Sequence, residues 1–440
     1  MKKSARQTAF DILLKVERGG AYSNLELDSR LGNISDVSVD SALLTVLVYG
    51  TLEKLITIDY NLSLCLRQPL KKLKPEVLTA LRLGTYQLLF MDRIPQSAAV
   101  NESVKLVKNN NSAFASGLVN AVLRKIGQNG LKLPESDDDV FDMSIRFSLP
   151  EWFVKMCINA YGMQTAYGLM ESLSCRAPMI IRVNTEKCTS EELAETLRHD
   201  GVETKAVCGA EHALELLNPG AVERLDAYRN GLFHVQDLSS QLCCAELAPM
   251  EDERVFDLCA APGGKSFTLA QMMKCKGELL ACDIYDSRLG LIANGAERLR
   301  LSNIKTVKND ASVFNAEFGT ADKVLCDVPC SGLGIIRRKP EIRYKNPSDI
   351  DKLPPMQYHI LCCGSRYVKV GGKLVYSTCS LNPAENAEVC DRFLAENPAF
   401  VAVRPLPELK ERFESDKYLT LMPNINKTDG FFIASFIRTE

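Results

Sequence analysis

The stretch DLCAAPGGKSFTLA, Asp257 to Ala270, starts as the tail of the apolar run RVFDLCA and finishes as the start of a helix-like segment. Pro262, Gly263 and Gly264 form the turn between them. Glycine lets backbone approach a ligand closely, and the first turn of the following helix offers unpaired N–H groups. A strand, a glycine turn and a helix in this order predict the opening unit of an α/β domain with a ligand at the turn. The spacing is neither G-x-G-x-x-G nor G-x-x-x-x-G-K-[ST], so neither a dinucleotide nor a nucleoside triphosphate is expected.

Downstream the same rhythm repeats in GELLACDI, NIKTVKND, DKVLCDV and GGKLVYSTC, mostly separated by helix-length segments such as GLIANGAERLR. Near-continuous apolar strands joined by helical crossovers predict a parallel sheet covered on both faces. YLTLMP and FFIASFIRTE add two further strand candidates. Asp283 ends the second run, 18 residues after Lys265, where an open α/β sheet places the carboxylate that takes ribose hydroxyls. Asp310 ends the third run and Asp327 the fourth. A glycine turn and acids on one carboxyl edge suit an adenosyl group without phosphates, such as that of S-adenosylmethionine. The candidate cofactor-binding residues are therefore Cys259, Ala260, Ala261, Pro262, Gly263, Gly264 and Lys265 of the loop, with Asp283, Asp310 and Asp327.

Upstream, apolar residues recur at helical spacing from Ala5 to about Ile126, in ARQTAFDILLKV, SALLTVLVYGTLEKLI and PEVLTALRLGTYQLLF. This predicts an all-α bundle over residues 1–130. GQNGLKLPESDDDVFD has the Gly, Pro and acid content of an exposed linker, placed at 131–143. Residues 144–237, with PMIIRVN and GLFHVQD flanking SEELAETLRHDG, predict a small α+β module. Residues 238–440 then form the Rossmann-like α/β domain. Three domains suit 440 residues.

Composition excludes several classes. Hydrophobic residues make up 46% and charged residues 25%, with a formal net charge of −2, as in an ordinary globular chain. Residues 1–130 hold about 17 Lys and Arg against about 11 Asp and Glu, a mildly basic part compatible with RNA. No run approaches the roughly 18 apolar residues of a membrane helix, and MKKSARQTAF leads into an amphipathic pattern, so a cytoplasmic protein without a membrane partner is expected. Sixteen cysteines beside only four histidines show no metal-ligand spacing; they are expected to be reduced, mostly buried and without metal. A monomer is favoured.

Two cysteines stand apart. Cys330 ends a run in VLCDVPCSGLG and Cys379 in KLVYSTCSLNPAEN. On neighbouring strands, about 4.8 Å apart, both thiols would face the donor edge. This suits methylation at C5 of a pyrimidine: a thiolate adds to C6, the resulting enamine reacts at C5, and loss of the C5 proton expels the thiolate. Asn382, Pro383 and Glu385 predict a helix start that would lower the pKa of Cys379 from about 8.5, so the residues favour Cys379 as nucleophile, with Cys330 as the alternative. Asp327 is placed to hydrogen-bond the cytosine edge and help N3 accept a proton.

DLCAAPGGK, DVPCSG and YSTCSLNPAEN, in this order, resemble the signature set of the Sun class of RNA cytosine-C5 methyltransferases. The resemblance implies that Cys379 is the nucleophile and that Cys330 assists product release; DNA cytosine methyltransferases place the nucleophile in the Pro-Cys motif instead. With a NusB-like helical domain ahead of the catalytic one, the chain is similar to the bacterial RsmB/Sun/Fmu family. That likeness implies an S-adenosylmethionine donor, RNA-binding N-terminal domains and cytosine 967 of 16S ribosomal RNA as target. FHVQDLSSQL, Phe233 to Leu242, also resembles that family's entry to the catalytic core.

The target base must leave its stack to reach a thiol, and Arg337, Arg338 and Lys339 of IIRRKPEIRYK are expected to take RNA phosphates. Rival readings are cytosine-C5 methylation of tRNA or another ribosomal site, a non-enzymatic RNA-binding or antitermination protein, and an amino-group methyltransferase. The last usually needs Asn/Asp-Pro-Pro-aromatic where this chain has Asp327-Val328-Pro329-Cys330.

Overall fold

The computed structural model describes residues 4–19, 41–409 and 417–440; residues 20–40 of the expected bundle lie outside the described residues. The chain forms two compact units, Met1–Ser174 with Lys339–Lys345, and Cys175–Arg338 with Asn346–Glu440.

The first unit is helical: α1 (Ala5–Gly19), α2 (Ser41–Glu53), α3 (Leu55–Ser63), α4 (Pro75–Phe90), α5 (Gln96–Asn109), α6 (Ser116–Asn129), α7 (Asp139–Phe147), α8 (Glu151–Tyr161) and α9 (Met163–Leu173). Pro75 opens α4, where its missing N–H costs nothing. α4 packs on α1, α2, α5 and α6, around a core that includes Phe10, Leu44, Leu47, Ile58, Leu81 and Leu123. Gly84 permits the close approach of α4 to α6, since a Cβ there would lie 2.6 Å from Leu123. The linker has no regular structure over 131–138, and Asn61 ties it down by donating to the Lys132 carbonyl at 3.0 Å and accepting its N–H at 2.9 Å.

Residues 144–173, expected at the start of the small α+β module, are helical: they complete α7 and form α8 and α9. Phe153, Val154, Cys157, Ala166, Leu169 and Met170 are buried at helical spacing, but a glycine, Gly162 at φ +77°, breaks the period between two short helices. The remote segment Lys339–Lys345 joins this unit through Arg343, whose buried guanidinium donates to the carbonyls of Ser148, at 3.1 Å, and Glu53.

In the second unit, β1 (Met179–Val183), α10 (Ser190–His199), β2 (Glu203–Ala206), β3 (Ala213–Leu217) and β4 (Phe233–Val235) build an antiparallel sheet of order β2-β3-β1-β4. Thr189 and Glu192 close a capping box on α10. The larger sheet follows: α11 (Leu238–Leu247), β5 (Arg254–Asp257), α12 (Gly264–Met272), β6 (Glu278–Asp283), α13 (Asp286–Leu299), β7 (Ile304–Lys308), β8 (Ala321–Asp327), α14 (Leu353–Ser365), β9 (Val368–Thr378), α15 (Ala387–Glu396), β10 (Phe400–Val403), β11 (Leu419–Leu421) and β12 (Phe431–Arg438). Its order is β10-β12-β9-β8-β5-β6-β7, with β11 on β12. β5 to β9 pair in parallel, and β12 runs antiparallel to β9.

The central strands are apolar on both faces because helices cover both, while edge strand β7, IKTVK, carries lysines that discourage further pairing. The chain direction of the sheet reverses between β5 and β8, and open α/β sheets take ligands at the carboxyl ends beside such a reversal. The fold is thus multidomain: a helical part, a small sheet module and a Rossmann-like α/β domain.

Candidate active site

The glycine loop leaves β5 and enters α12 as expected. Ala260 N–H donates to the Cys282 carbonyl of β6 at 2.7 Å, and Gly263 N–H to the Ala260 carbonyl at 2.8 Å. Ala261–Pro262 is cis, and Gly263 sits at φ +108°, where a side chain would also meet the Phe267 ring at 2.6 Å. Asp257, buried below the loop, accepts from Ser266 Oγ at 2.6 Å, while its Oδ1 has no partner. Burial pushes this carboxyl up to about 7, against the Ser266 hydrogen bond.

On the neighbouring strand, Asp283 accepts the Tyr285 N–H at 3.0 Å and faces Arg288 at 3.5 Å. Ile284 and Tyr285 beside it are exposed. Asp310, two residues beyond β7, is exposed and caps its own turn, with Ser312 N–H and Oγ donating at 2.9 and 2.7 Å. A loop of mostly small residues, an acid on the next strand and the exposed Ile284 and Tyr285 could hold an adenosyl group, with Asp283 the candidate for its ribose hydroxyls.

Lys265 links this edge to the cysteines. Its Nζ donates to Asp327 Oδ2 at 2.7 Å, and Ser377 Oγ donates to Oδ1 at 2.8 Å. Burial disfavours the ammonium, but Asp327 outweighs it and holds Lys265 above its usual range. β8 and β9 are neighbours, and beyond them the Cys330 and Cys379 sulfurs lie 3.1 Å apart. The Cys330 thiol donating into the Cys379 sulfur holds Cys379 below the usual thiol range, against burial, and Lys265 adds to the effect. The same bond, with burial, pushes Cys330 well above it. The two thiols thus differ in the direction of their shifts, Cys379 down and Cys330 up.

The physical cause is not the expected one. Asn382 caps only a three-residue 3₁₀ turn, Pro383–Glu385, and α15 begins later at Ala387. The helix that follows Cys379 in the chain thus starts eight residues after it. Glu385, expected to reinforce a helix start, is instead fully buried and accepts from Ser331 N–H at 2.8 Å, Ser331 Oγ at 2.5 Å, Ser380 Oγ at 2.6 Å and Gln357 Nε2 at 3.0 Å. Ser331, Ser377, Ser380 and Gln357 were not singled out in the sequence; the repeated Cys-Ser pair was the available signal.

The arginines also require correction. Arg337 donates to Asp429 at 2.9 Å and to the Thr428 carbonyl at 2.6 Å, and its side chain is 6% exposed. Arg338 bonds Asp429 and donates to Asp237 at 2.8 Å. Buried carboxylates demand such cations; Arg337 is fully taken up in this way, whereas the Arg338 side chain remains 30% exposed. Lys339 is exposed and opens the segment that belongs to the helical unit. Asp237 also caps α11 through the Ser239 N–H at 2.9 Å, and Gln236 accepts from Thr268 of α12 at 2.6 Å. The FHVQDLSSQL stretch therefore fastens the small sheet to the donor helix. Among the described residues no cluster of His, Cys, Asp and Glu is arranged to hold a metal, and no helix is long and apolar enough to cross a membrane.

A reversed parallel sheet with this loop and these acids on one carboxyl edge defines a Rossmann-like methyltransferase. A crystal structure of a methyltransferase homologue from Pyrococcus horikoshii superposes with a TM-score of 0.61 at 27% identity, covering 69% of this chain and 100% of that one. Residues 244–437 match the model for the 16S rRNA methyltransferase RsmB/F, residues 3–128 the NusB family, and residues 149–223 the ferredoxin-like domain of RsmF/B-like methyltransferases. The probable ribosomal RNA small subunit methyltransferase B of Bacillus subtilis is 38% identical, with 99% of this chain and 98% of that one aligned. The ribosomal RNA small subunit methyltransferase B of Salmonella arizonae is 32% identical over 96% of each. The chain belongs to the RsmB/F family of S-adenosylmethionine-dependent methyltransferases.

Proposed function

We propose that this protein methylates C5 of a cytosine in 16S ribosomal RNA, at position 967, through a covalent adduct between Cys379 and C6. The observation that carries the reading is the pair of sulfurs 3.1 Å apart at the ends of two neighbouring strands. The Cys379 thiolate adds to C6, and the electron pair released toward the ring makes C5 nucleophilic. S-adenosylmethionine, when bound, supplies the electrophilic methyl group that C5 takes. Asp327, fixed by Lys265 and Ser377, orients the base by accepting from its amino group. Loss of the C5 proton to solvent then breaks the C6–sulfur bond, and the returning pair on Cys379 is met by the Cys330 thiol. The small sheet module and the helical unit hold the RNA; the names of the relatives support an RNA substrate.

A denaturing gel of protein incubated with a 16S fragment and S-adenosylmethionine tests this. A protein–RNA adduct should accumulate in Cys330→Ala and be absent from Cys379→Ala, which should lose more than about 10³-fold in turnover. The reverse pattern would make Cys330 the nucleophile, and 5-methylcytidine formation by both variants would end the covalent reading.

A further inference from the structure

We propose that Glu385 is a positioning residue for the two-thiol chemistry, its carboxylate binding the loop of Cys330 and the loop of Cys379 into one cluster that sets the separation of their sulfurs. This rests on the covalent reading above and deepens it. Ser331 directly follows Cys330, and Ser380 directly follows Cys379. Both hydroxyls point at one carboxylate oxygen of Glu385 and lie 2.9 Å from each other. The other oxygen takes the Ser331 N–H and the Gln357 amide. Gln357 Nε2 also donates to the Pro329 carbonyl at 3.0 Å, so the Pro-Cys-Ser turn is held at two residues around the reactive one. The Tyr376 hydroxyl, from β9, donates to the main-chain carbonyl of Glu385 at 2.6 Å and pins the acid itself.

Every side-chain contact of Glu385 is a donor, an arrangement that an ionised carboxylate satisfies and that a neutral amide, with one acceptor atom and two donor hydrogens, does not. Among the described residues Glu385 has no ion pair, so a buried charge is maintained by hydrogen bonds alone. Such a charge is costly where stability is the only gain. Its place explains the expense: the carboxylate is the acceptor on which the Cys330 loop and the Cys379 loop converge. A fixed separation of the two sulfurs is what addition by Cys379 and release against the Cys330 thiol require. Reacting groups misplaced by about 1 Å lose roughly 100-fold in rate, and a cluster of four short bonds prevents such drift.

The test compares Glu385→Gln and Glu385→Asp with the unaltered full-length protein on a 16S fragment with S-adenosylmethionine, measuring kcat, KM for the donor, adduct lifetime and the pH profile of single turnover. Glu385→Gln should lower kcat about 10- to 100-fold, leave donor KM within about twofold, lengthen the adduct lifetime and displace the pH profile. Glu385→Asp, which keeps the charge, should recover the profile more than the rate. A folded Glu385→Gln with normal kcat, adduct lifetime and pH profile would overturn the proposal. If that variant does not fold, Ser380→Ala carries the test: a longer-lived adduct supports the positioning role, and a normal lifetime overturns it. Cys330→Ala separates the two readings, because absence of its adduct removes the covalent mechanism itself, whereas its presence beside an unaffected Glu385→Gln removes only this role.

Discussion

Along the carboxyl edge of the large sheet, the loops after β5, β6 and β7 and the loops after β8 and β9 are held by different means. The first group is backbone and short turns: Gly263 at positive φ, Ala260 bonded to β6, Asp283 and Asp310 each capping the residues that follow them. The second is bound by buried side chains, with Glu385, Ser331, Ser380 and Gln357 in one cluster and Asp327 between Lys265 and Ser377. Under the proposed function the difference suits what each half would handle. A methyl donor would be recognised by shape, N–H groups and acids, which a loop presents while remaining open. Two sulfurs that exchange charge would need fixed separation and little water, which side-chain networks in low dielectric provide.

Lys265 belongs to both halves, and its loss is the strongest way to break the distinction. Lys265→Ala leaves Asp327 without its cation in a largely buried place and should destabilise the protein by about 3 kcal/mol in denaturant titration. It should also shift the alkylation profile of Cys379 to higher pH, and an unmoved profile would show the halves to be electrostatically separate.

Asp257 sharpens the donor half. Its carboxyl is raised to about 7 in the folded state, so between the ordinary carboxylate range and neutrality the folded protein binds a proton that the unfolded chain has lost. Stability from this group is therefore full at low pH and falls as pH rises toward 7, by at most about 1.4 kcal/mol per unit. Asp257→Asn should flatten that part of the stability profile; an unchanged slope would mean the acid is ionised under the loop.

The smallest effect on RNA binding is expected at the arginines. Replacing Arg337 and Arg338 together by Gln should lower the melting temperature while leaving the salt dependence of RNA binding nearly unchanged. Two lost phosphate contacts would flatten the slope of log K against log salt by about 1.8, and such a change would restore the phosphate reading.

The legible parts of the chain were those in which sequence neighbours act together. Strand β5, the turn at Gly263 and helix α12 are contiguous, so hydrophobic period and glycine placement announced them. The apolar runs ending at Asp283, Asp327 and Cys379 were visible for the same reason, and their parallel pairing follows from crossover length. β10 was missed, and the antiparallel placement of β12 between β9 and β10 was not foreseen, because strand order depends on pairing between segments far apart in the chain. Helices α8 and α9 were passed over because each offers only three turns of apolar spacing.

The amino-acid sequence alone determined the class of domain, the donor loop, the acid on β6 and the two cysteines, since each is carried by a local pattern of residue types. Only the tertiary structure decided what surrounds them: that Cys379 lies against Cys330, that Arg337 and Arg338 pair with Asp429 and Asp237, and that Glu385 joins the two thiol loops. Burial and hydrogen-bond partnership are properties of residues brought together from distant positions, 290 apart in the case of Arg343 and Glu53, and no local pattern encodes them.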